Sequence, residues 1–186
     1  MGMDKRIITL KTGKSVICRL LQSGDEEHLR QFDTGLSNRS RDLFSPHSYS
    51  EEVLRKIIAR TEEGKDRGYI VFDKSRCIAY CYLWYFETDY PLLGLGVTDD
   101  YQGMGLGRRL LALMLDDAEK MGKAGVELTT DFDNGRAKTL YESAGFMTLG
   151  IVENIDGDGS RNEEYHLFYP IVPGAAPLER TLGPPV

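Results

Sequence analysis

Residues 92–111 read LLGLGVTDDYQGMGLGRRLL, and this stretch decides the fold. It opens on a short apolar run, Leu92, Leu93, Leu95 and Val97, that reads as a buried strand, and Thr98-Asp99-Asp100 then turns the chain. Gly103, Gly105 and Gly107 follow at alternate positions. From Leu106 the apolar residues fall at Leu106, Leu110, Leu113 and Met114, the one-face spacing of an amphipathic helix. The glycines therefore stand at a helix N-terminus. There the first four backbone N–H groups lack an intrahelical partner, and the helix dipole adds about half a positive charge, so phosphate is the natural guest. Glycine lets the backbone approach an anion without a Cβ in the way, and Arg108 and Arg109 bring two permanent cations to the same turn.

Spacing separates this loop from other phosphate loops. A P-loop requires GxxxxGK[ST], and Gly13-Lys14-Ser15 has Ile8 where the leading glycine should stand. A Rossmann fingerprint requires GxGxxG, whereas Gly103, Gly105 and Gly107 run as GxGxG with Arg108-Arg109-Leu110 behind them. The pattern that fits is Gln/Arg-x-x-Gly-x-Gly/Ala between a strand and a helix, met by Gln102-Gly103-Met104-Gly105-Leu106-Gly107. It resembles the acetyl-CoA loop of the GNAT superfamily of N-acetyltransferases. The likeness continues downstream, where Asn134, Ala137, Leu140, Tyr141, Gly145 and Phe146 resemble that superfamily's NxxAxxLYxxxGF segment, so it covers Leu92 to Phe146.

At 186 residues and 41% hydrophobic, the chain has the size of one globular domain. That domain is expected over 1–172, with a Pro-rich tail over 173–186 whose four prolines and sparse apolar surface predict an extended or disordered end. A net charge of -6, with no Lys/Arg cluster longer than two residues, argues against a nucleic-acid-binding surface. No apolar run approaches the ~18 residues that span a bilayer, and Met1 to Lys14 has no signal-peptide pattern. A cytoplasmic protein with no membrane partner is expected, as a monomer or homodimer. Cys18, Cys77 and Cys81 suit reduced core thiols, and the scattered His28, His47 and His166 give no metal-ligand spacing.

In chain order, Val16 to Leu21 reads as a strand, a helix follows through Leu29 and Phe32, and a Ser-rich segment from Gly35 to Ser50 connects to a second helix carrying Val53, Leu54, Ile57 and Ile58. Tyr69 to Phe72 and Cys77 to Phe86 form an antiparallel hairpin. In its second strand Ala79, Cys81 and Leu83 share one face with Cys77, while Tyr80, Tyr82 and Trp84 share the other with Ile78. After the glycine loop and its helix, Val126 to Thr130 should run parallel to the Leu92 strand because a helix joins them. A helix with inner stripe Ala137, Leu140, Tyr141 and Ala144, and strands at Phe146 to Glu153 and Glu164 to Ile171, complete the chain. The order β-α-α-β-β-β-α-β-α-β-β is that expected of the GNAT fold. It is an α/β (α+β) arrangement: a central mixed, mostly antiparallel sheet of about seven strands with helices on both faces. The resemblance further implies that the two parallel strands splay apart to admit a pantetheine arm.

Acyl transfer from a thioester to an amine needs a held acyl donor, a neutral amine, stabilisation of the oxyanion and a proton for the departing thiolate. The resemblance implies acetyl-CoA as co-substrate, its pyrophosphate on the backbone of Gln102, Gly103, Met104, Gly105, Leu106, Gly107 and Arg108. The strand edge Leu95-Gly96-Val97 would bond its amides as another strand would, with Asn134, Ala137 and Tyr141 beside it. The Tyr141 phenol is implied as the thiolate's proton donor, and its ordinary pKa of about 10 keeps it protonated at neutral pH. For the general base the residues leave three carboxylates open, Glu87 at the end of the aromatic strand first, then Glu127 and Asp131. Arg39 and Arg41, with His47 and Tyr49 in the same segment, are expected to wall the acceptor pocket and grip an acidic group on a small-molecule or peptide amine. A catalytically inactive acyl-CoA sensor and a dinucleotide-binding redox protein with Asp131 as its acidic residue stay open as other readings.

Overall fold

The Leu92 run becomes a central strand because its neighbours on both sides can be covered. The computed structural model describes residues 5–177 and 182–186. Its strands are β1 Arg6–Thr9, β2 Ser15–Leu20, β3 Arg67–Asp73, β4 Arg76–Trp84, β5 Leu92–Val97, β6 Gly125–Thr130, β7 Met147–Ile155 and β8 Arg161–Pro170. Its helices are α1 Glu26–Thr34, α2 Asn38–Asp42, α3 Glu51–Glu62, α4 Leu106–Lys120 and α5 Gly135–Ser143. The strands form one sheet in the order β1-β2-β3-β4-β5-β6-β8-β7, antiparallel at every step except β5 to β6. The expected mixed, mostly antiparallel sheet is present with eight strands rather than seven. The extra one is β1, four residues at the edge, too short for alternation to stand out and with Ile7 75% exposed.

Each face of the sheet carries its own core. On one side Ala79, Cys81 and Leu83 of β4 meet Leu106, Leu110 and Met114 of α4 and Tyr141 of α5. On the other, Tyr80, Tyr82 and Trp84 meet Leu29 and Phe32 of α1 and Leu54, Ile57 and Ile58 of α3. The alternation along β4 holds from Ala79 onward and fails at its start, where Cys77 joins the second core and Ile78 the first. The cause is a register shift between Val71 and Phe72, which rotates the strand beginning by one residue relative to its partner. At the far end Tyr85 takes φ 55, and Lys65 O accepts the N–H groups of Phe86 and Glu87, so β4 stops at Trp84 and the chain turns toward the end of α3.

The segment from Gly35 to Ser50 holds the short helix α2, capped by Ser37 Oγ, which accepts from Ser40 N–H. Beyond it His47 is buried, its Nδ1 bonded to Ser48 O at 2.9 Å and its Nε2 to the Tyr80 hydroxyl at 3.1 Å. Burial pushes its pKa down to about 4. The tail also departs from expectation at its described end. Leu182 is 1% exposed within the α1/α3 core, its carbonyl accepts Ile155 N–H at 3.0 Å, and the Tyr85 hydroxyl donates to Gly183 O. An apolar leucine that can reach an open core edge outweighs the proline content around it.

Leu182→Ala should lower the unfolding free energy by about 2–4 kcal/mol, as for other fully buried leucines. A loss below about 0.5 kcal/mol in chemical denaturation would mean that the tail is not docked. His47 is neutral when folded and binds a proton more readily when unfolded, so its contribution is complete above the unfolded pKa of 6.5 and declines as pH falls toward about 4. Within that window stability should drop with acidification by up to about 1.4 kcal/mol per pH unit more in the parent than in His47→Gln. Parallel pH profiles for the two proteins would refute this.

Candidate active site

The glycine loop is held open by contacts from distant parts of the chain. A 3-10 turn at Asp99–Tyr101 leads out of β5, Gly103 and Gly105 take φ 79 and 85, and Gly105 caps α4 in the left-handed region that a side chain would strain. The first helical bond runs from Arg109 N–H to Gly105 O, which leaves the N–H groups of Leu106, Gly107 and Arg108 without intrahelical partners. Lys11, at the turn between β1 and β2, donates its N–H to Met104 O at 3.0 Å, and its side chain lies 3.1 Å from where a Cβ on Gly105 would stand. Gln102 braces the other side: its amide donates to Val97 O at 3.1 Å, and its Oε1 accepts from Arg136 at 2.9 Å. Asp99 accepts from the Ser37 N–H and from both Ser37 and Ser40 hydroxyls, which ties α2 to the same turn and holds the carboxyl below its ordinary pKa.

β5 and β6 are paired at Leu92↔Glu127 alone, whereas β5 and β4 are paired from Leu92 to Val97. Beyond that point the two parallel strands part. A cleft of about 710 Å³ runs from the loop into the gap, lined by Gly103, Gly105, Gly107, Leu95, Gly96 and Val97 on the strand and loop side, and by Asn134, Ala137 and Tyr141 of the α5 region. Gly96 matters to its floor, because a Cβ there would meet the Phe44 ring at 2.6 Å. The cationic groups on this cleft are Lys11, Arg39, Arg108 and Arg136, against Asp99 and Asp133.

A second cleft of about 200 Å³ meets the first at Leu95, Asn134 and Tyr141, and also shares Leu43 and Phe44 with it. Tyr141 belongs to the α4/α5 core and Tyr82 and Trp84 to the α1/α3 core, yet all three line this cleft, so it passes through the sheet where the strands part. Tyr141 is 6% exposed, and burial raises the pKa of its phenol well above the ordinary value, with the Glu164 carboxylate adding to the effect. It therefore stays protonated across the physiological range. Glu164 lines the same cleft, its carboxyl also raised, chiefly by burial.

The residues expected at the site divide accordingly. Leu95, Gly96, Val97, Gln102, Gly103, Gly105, Gly107, Arg108, Asn134, Ala137 and Tyr141 line the first cleft, while Met104 packs against the core and Leu106 is buried in it. Asn134 also caps α5, accepting Ala137 N–H at 3.2 Å. Glu87 is not brought to either cleft. The turn at Tyr85 carries it beside Arg60, 3.7 Å away, with its side chain 47% exposed. Glu127 is fully buried and bonded to His166 at 2.9 Å, and Asp131 lines the second cleft. Arg39 and Arg41 do not reach the second cleft. Arg39 lines the first, and Arg41 is held by the carboxylate and carbonyl of Asp33. Lys11, Arg136 and Glu164 were not among the expected residues. Their placement depends on pairings between segments far apart in sequence, for which no local pattern speaks.

Comparison with known proteins bears on this geometry. The family model described as "Acetyltransferase (GNAT) family" matches residues 34–146. The [Ribosomal protein bS18]-alanine N-acetyltransferase of Escherichia coli (strain K12) is 43% identical over 63 residues, 34% of this chain and 43% of that protein. N-alpha-acetyltransferase RimI of Mycobacterium tuberculosis is 43% identical over 63 residues, covering 34% of this chain and 38% of its own. The matched stretch thus spans less than half the length of these curated relatives. Among solved structures, the GNAT domain of S. lividans PAT superposes with a TM-score of 0.70 at 17% identity, covering 89% of this chain and 96% of that one. The ribosomal-protein-S18-alanine N-acetyltransferase from Escherichia coli does so with a TM-score of 0.65 at 24% identity, covering 89% and 99%. With the family model taking in more than half of the chain, and the same fold in these structures, this chain belongs to the acetyltransferase (GNAT) family.

Proposed function

We propose that the protein transfers an acetyl group from acetyl-CoA to a primary amine held in the second cleft. The observation that carries this reading is the meeting of a cation-lined cleft, starting at a glycine-capped helix N-terminus, with a second cleft at Tyr141. The residues present fit acetyl-CoA. The free N–H groups of Leu106 to Arg108 suit a pyrophosphate, with Lys11, Arg108 and Arg136 offering charge to the phosphates. The β5 edge from Leu95 to Val97, unpaired on its β6 side, offers backbone groups to the pantetheine amides. Bound there, the thioester supplies an activated acetyl group at the junction of the clefts.

The chain's own groups would do the rest. Amine nitrogen attacks only when neutral, and a carboxylate in the second cleft, Glu164 or Asp131, can take the proton it sheds. Glu164 is the better suited, since burial brings its pKa upward toward the working pH. Tyr141 Oη, kept protonated by burial, then donates to the departing thiolate, and it is aligned for this by the α5 stripe that also packs against Phe146. In this reading amine and donor react directly, and the described cysteines, Cys18, Cys77 and Cys81, are all buried away from an acyl-carrying role.

Gly105→Asp should weaken acetyl-CoA binding at least about tenfold, equivalent to ~1.4 kcal/mol, because the new side chain meets Lys11 from a left-handed backbone and adds a negative charge. Calorimetry showing parental affinity in a folded variant would remove the loop from the site. Tyr141→Phe keeps the ring in the core, so acetyl-CoA affinity should hold while kcat falls by roughly 10²–10⁴-fold. An unchanged kcat would leave Tyr141 as packing.

A further inference from the structure

The charge on the second cleft is one-sided. Glu164, Asp156, Asp131 and Asp42 all line it, and among the described residues no Lys, Arg or His does. Asn154 Nδ2 donates to Glu164 at 2.9 Å and to Asp156 at 3.4 Å, so the two carboxylates stand on one bridging amide. Burial raises the pKa of both, and each is raised further by nearby carboxylates. Such a group of like charges is unfavourable in a partly closed space unless something positive joins it.

A further observation points to an absent occupant. The indole Nε1 of Trp84, a residue 2% exposed, has no hydrogen-bond partner among the described residues. Its side chain lines this cleft. Buried polar groups without partners are uncommon and usually mark a place for water or ligand. Trp84 is stacked on Tyr82 at 3.7 Å between ring centroids and 12° between planes, and both residues line the same cleft as the carboxylates.

Resting on the acetyl-transfer reading, we infer that the acceptor is a small amine carrying at least one further ammonium group, held by Asp156 near Trp84 while Glu164 serves the reacting nitrogen. The second charge follows from the chemistry. The reacting nitrogen must be neutral at attack, so it cannot balance the carboxylates at that moment, whereas a non-reacting ammonium can. The balance is simple: the neutral amine forms the N–C bond to the acetyl carbon, the C–S bond breaks, the nitrogen's proton passes to a cleft carboxylate, and Tyr141 Oη protonates the thiolate. The cleft itself is small, about 200 Å³. The walls restrict it further: Gly157 N–H at the β7–β8 turn donates to Ser45 O at 2.9 Å, joining that turn to the segment after α2, and Gly183 closes part of the rim.

The test is a release assay for CoA thiol with the full chain and saturating acetyl-CoA, using 1,5-diaminopentane, pentylamine, 5-aminopentanoate and alanyl-arginine amide as acceptors. The diamine should exceed pentylamine in kcat/KM by at least about tenfold, and 5-aminopentanoate should be the poorest. Asp156→Asn should raise the KM for the diamine and leave both its KM for acetyl-CoA and its pentylamine turnover unchanged, whereas Glu164→Gln should lower kcat with every amine. Pentylamine or 5-aminopentanoate equalling the diamine, or alanyl-arginine amide surpassing it, overturns the inference and leaves acetyl transfer standing, since thiol is still released. If no amine releases thiol, calorimetry of the CoA-loaded protein decides: binding of 1,5-diaminopentane upholds the charge inference and sinks the transfer reading, and no binding sinks both.

Discussion

Everything at the site depends on β5 and β6 separating after one paired residue. Parallel strands normally exchange hydrogen bonds along their length, and giving them up leaves backbone groups in need of other partners. Here the deficit covers β5 beyond Leu92, and its stretch from Leu95 to Val97 lines the larger cleft. The sheet tolerates the opening because β5 is still fully paired to β4 on its other side and β6 is fully paired to β8. Gly94 and Gly96 contribute from below: with no Cβ they let the rings of Tyr82 and Phe44 press directly on the strand, so its position is fixed by packing even where its ladder is missing.

The gap also sorts charge. Four basic side chains gather on the side where a helix N-terminus already favours anions, and four acidic ones on the other, with Tyr141 at the boundary. A protein with a net charge of -6 would by itself repel a polyanionic cofactor at long range. Concentrating cations at the loop offsets this locally, even with Asp99 and Asp133 on the same cleft.

The sequence made the local parts of this arrangement readable and hid the others. Glycines before an amphipathic helix declare an anion site within a dozen residues, and Tyr141 falls on the inner face of its helix by spacing alone. Lys11 reaches the loop only because β1 and β2 form an edge hairpin, and Arg136 only because α5 packs beside the 3-10 turn, so neither has a neighbourhood that announces it. Glu164 sits in β8, which pairs between β6 and β7, and its place on the second cleft depends on that long-range pairing. Glu87 misled for the complementary reason: it follows an aromatic strand that does approach the cleft, and a single left-handed residue, Tyr85, redirects the chain just before it. Arg41 is claimed by Asp33, a short-range pairing that composition cannot weigh against a longer one.

The backbone bond from Lys11 to Met104 links the shape of the anion loop to the sheet's least protected strand. Short edge hairpins open with small free energies, and each opening releases the loop from its brace. Apparent affinity for a phosphate ligand is then the intrinsic affinity scaled by the fraction of molecules with the hairpin closed. By the same linkage a ligand on the loop would favour the closed hairpin, and would be felt at a sheet edge joined to the loop through the Lys11 bond alone.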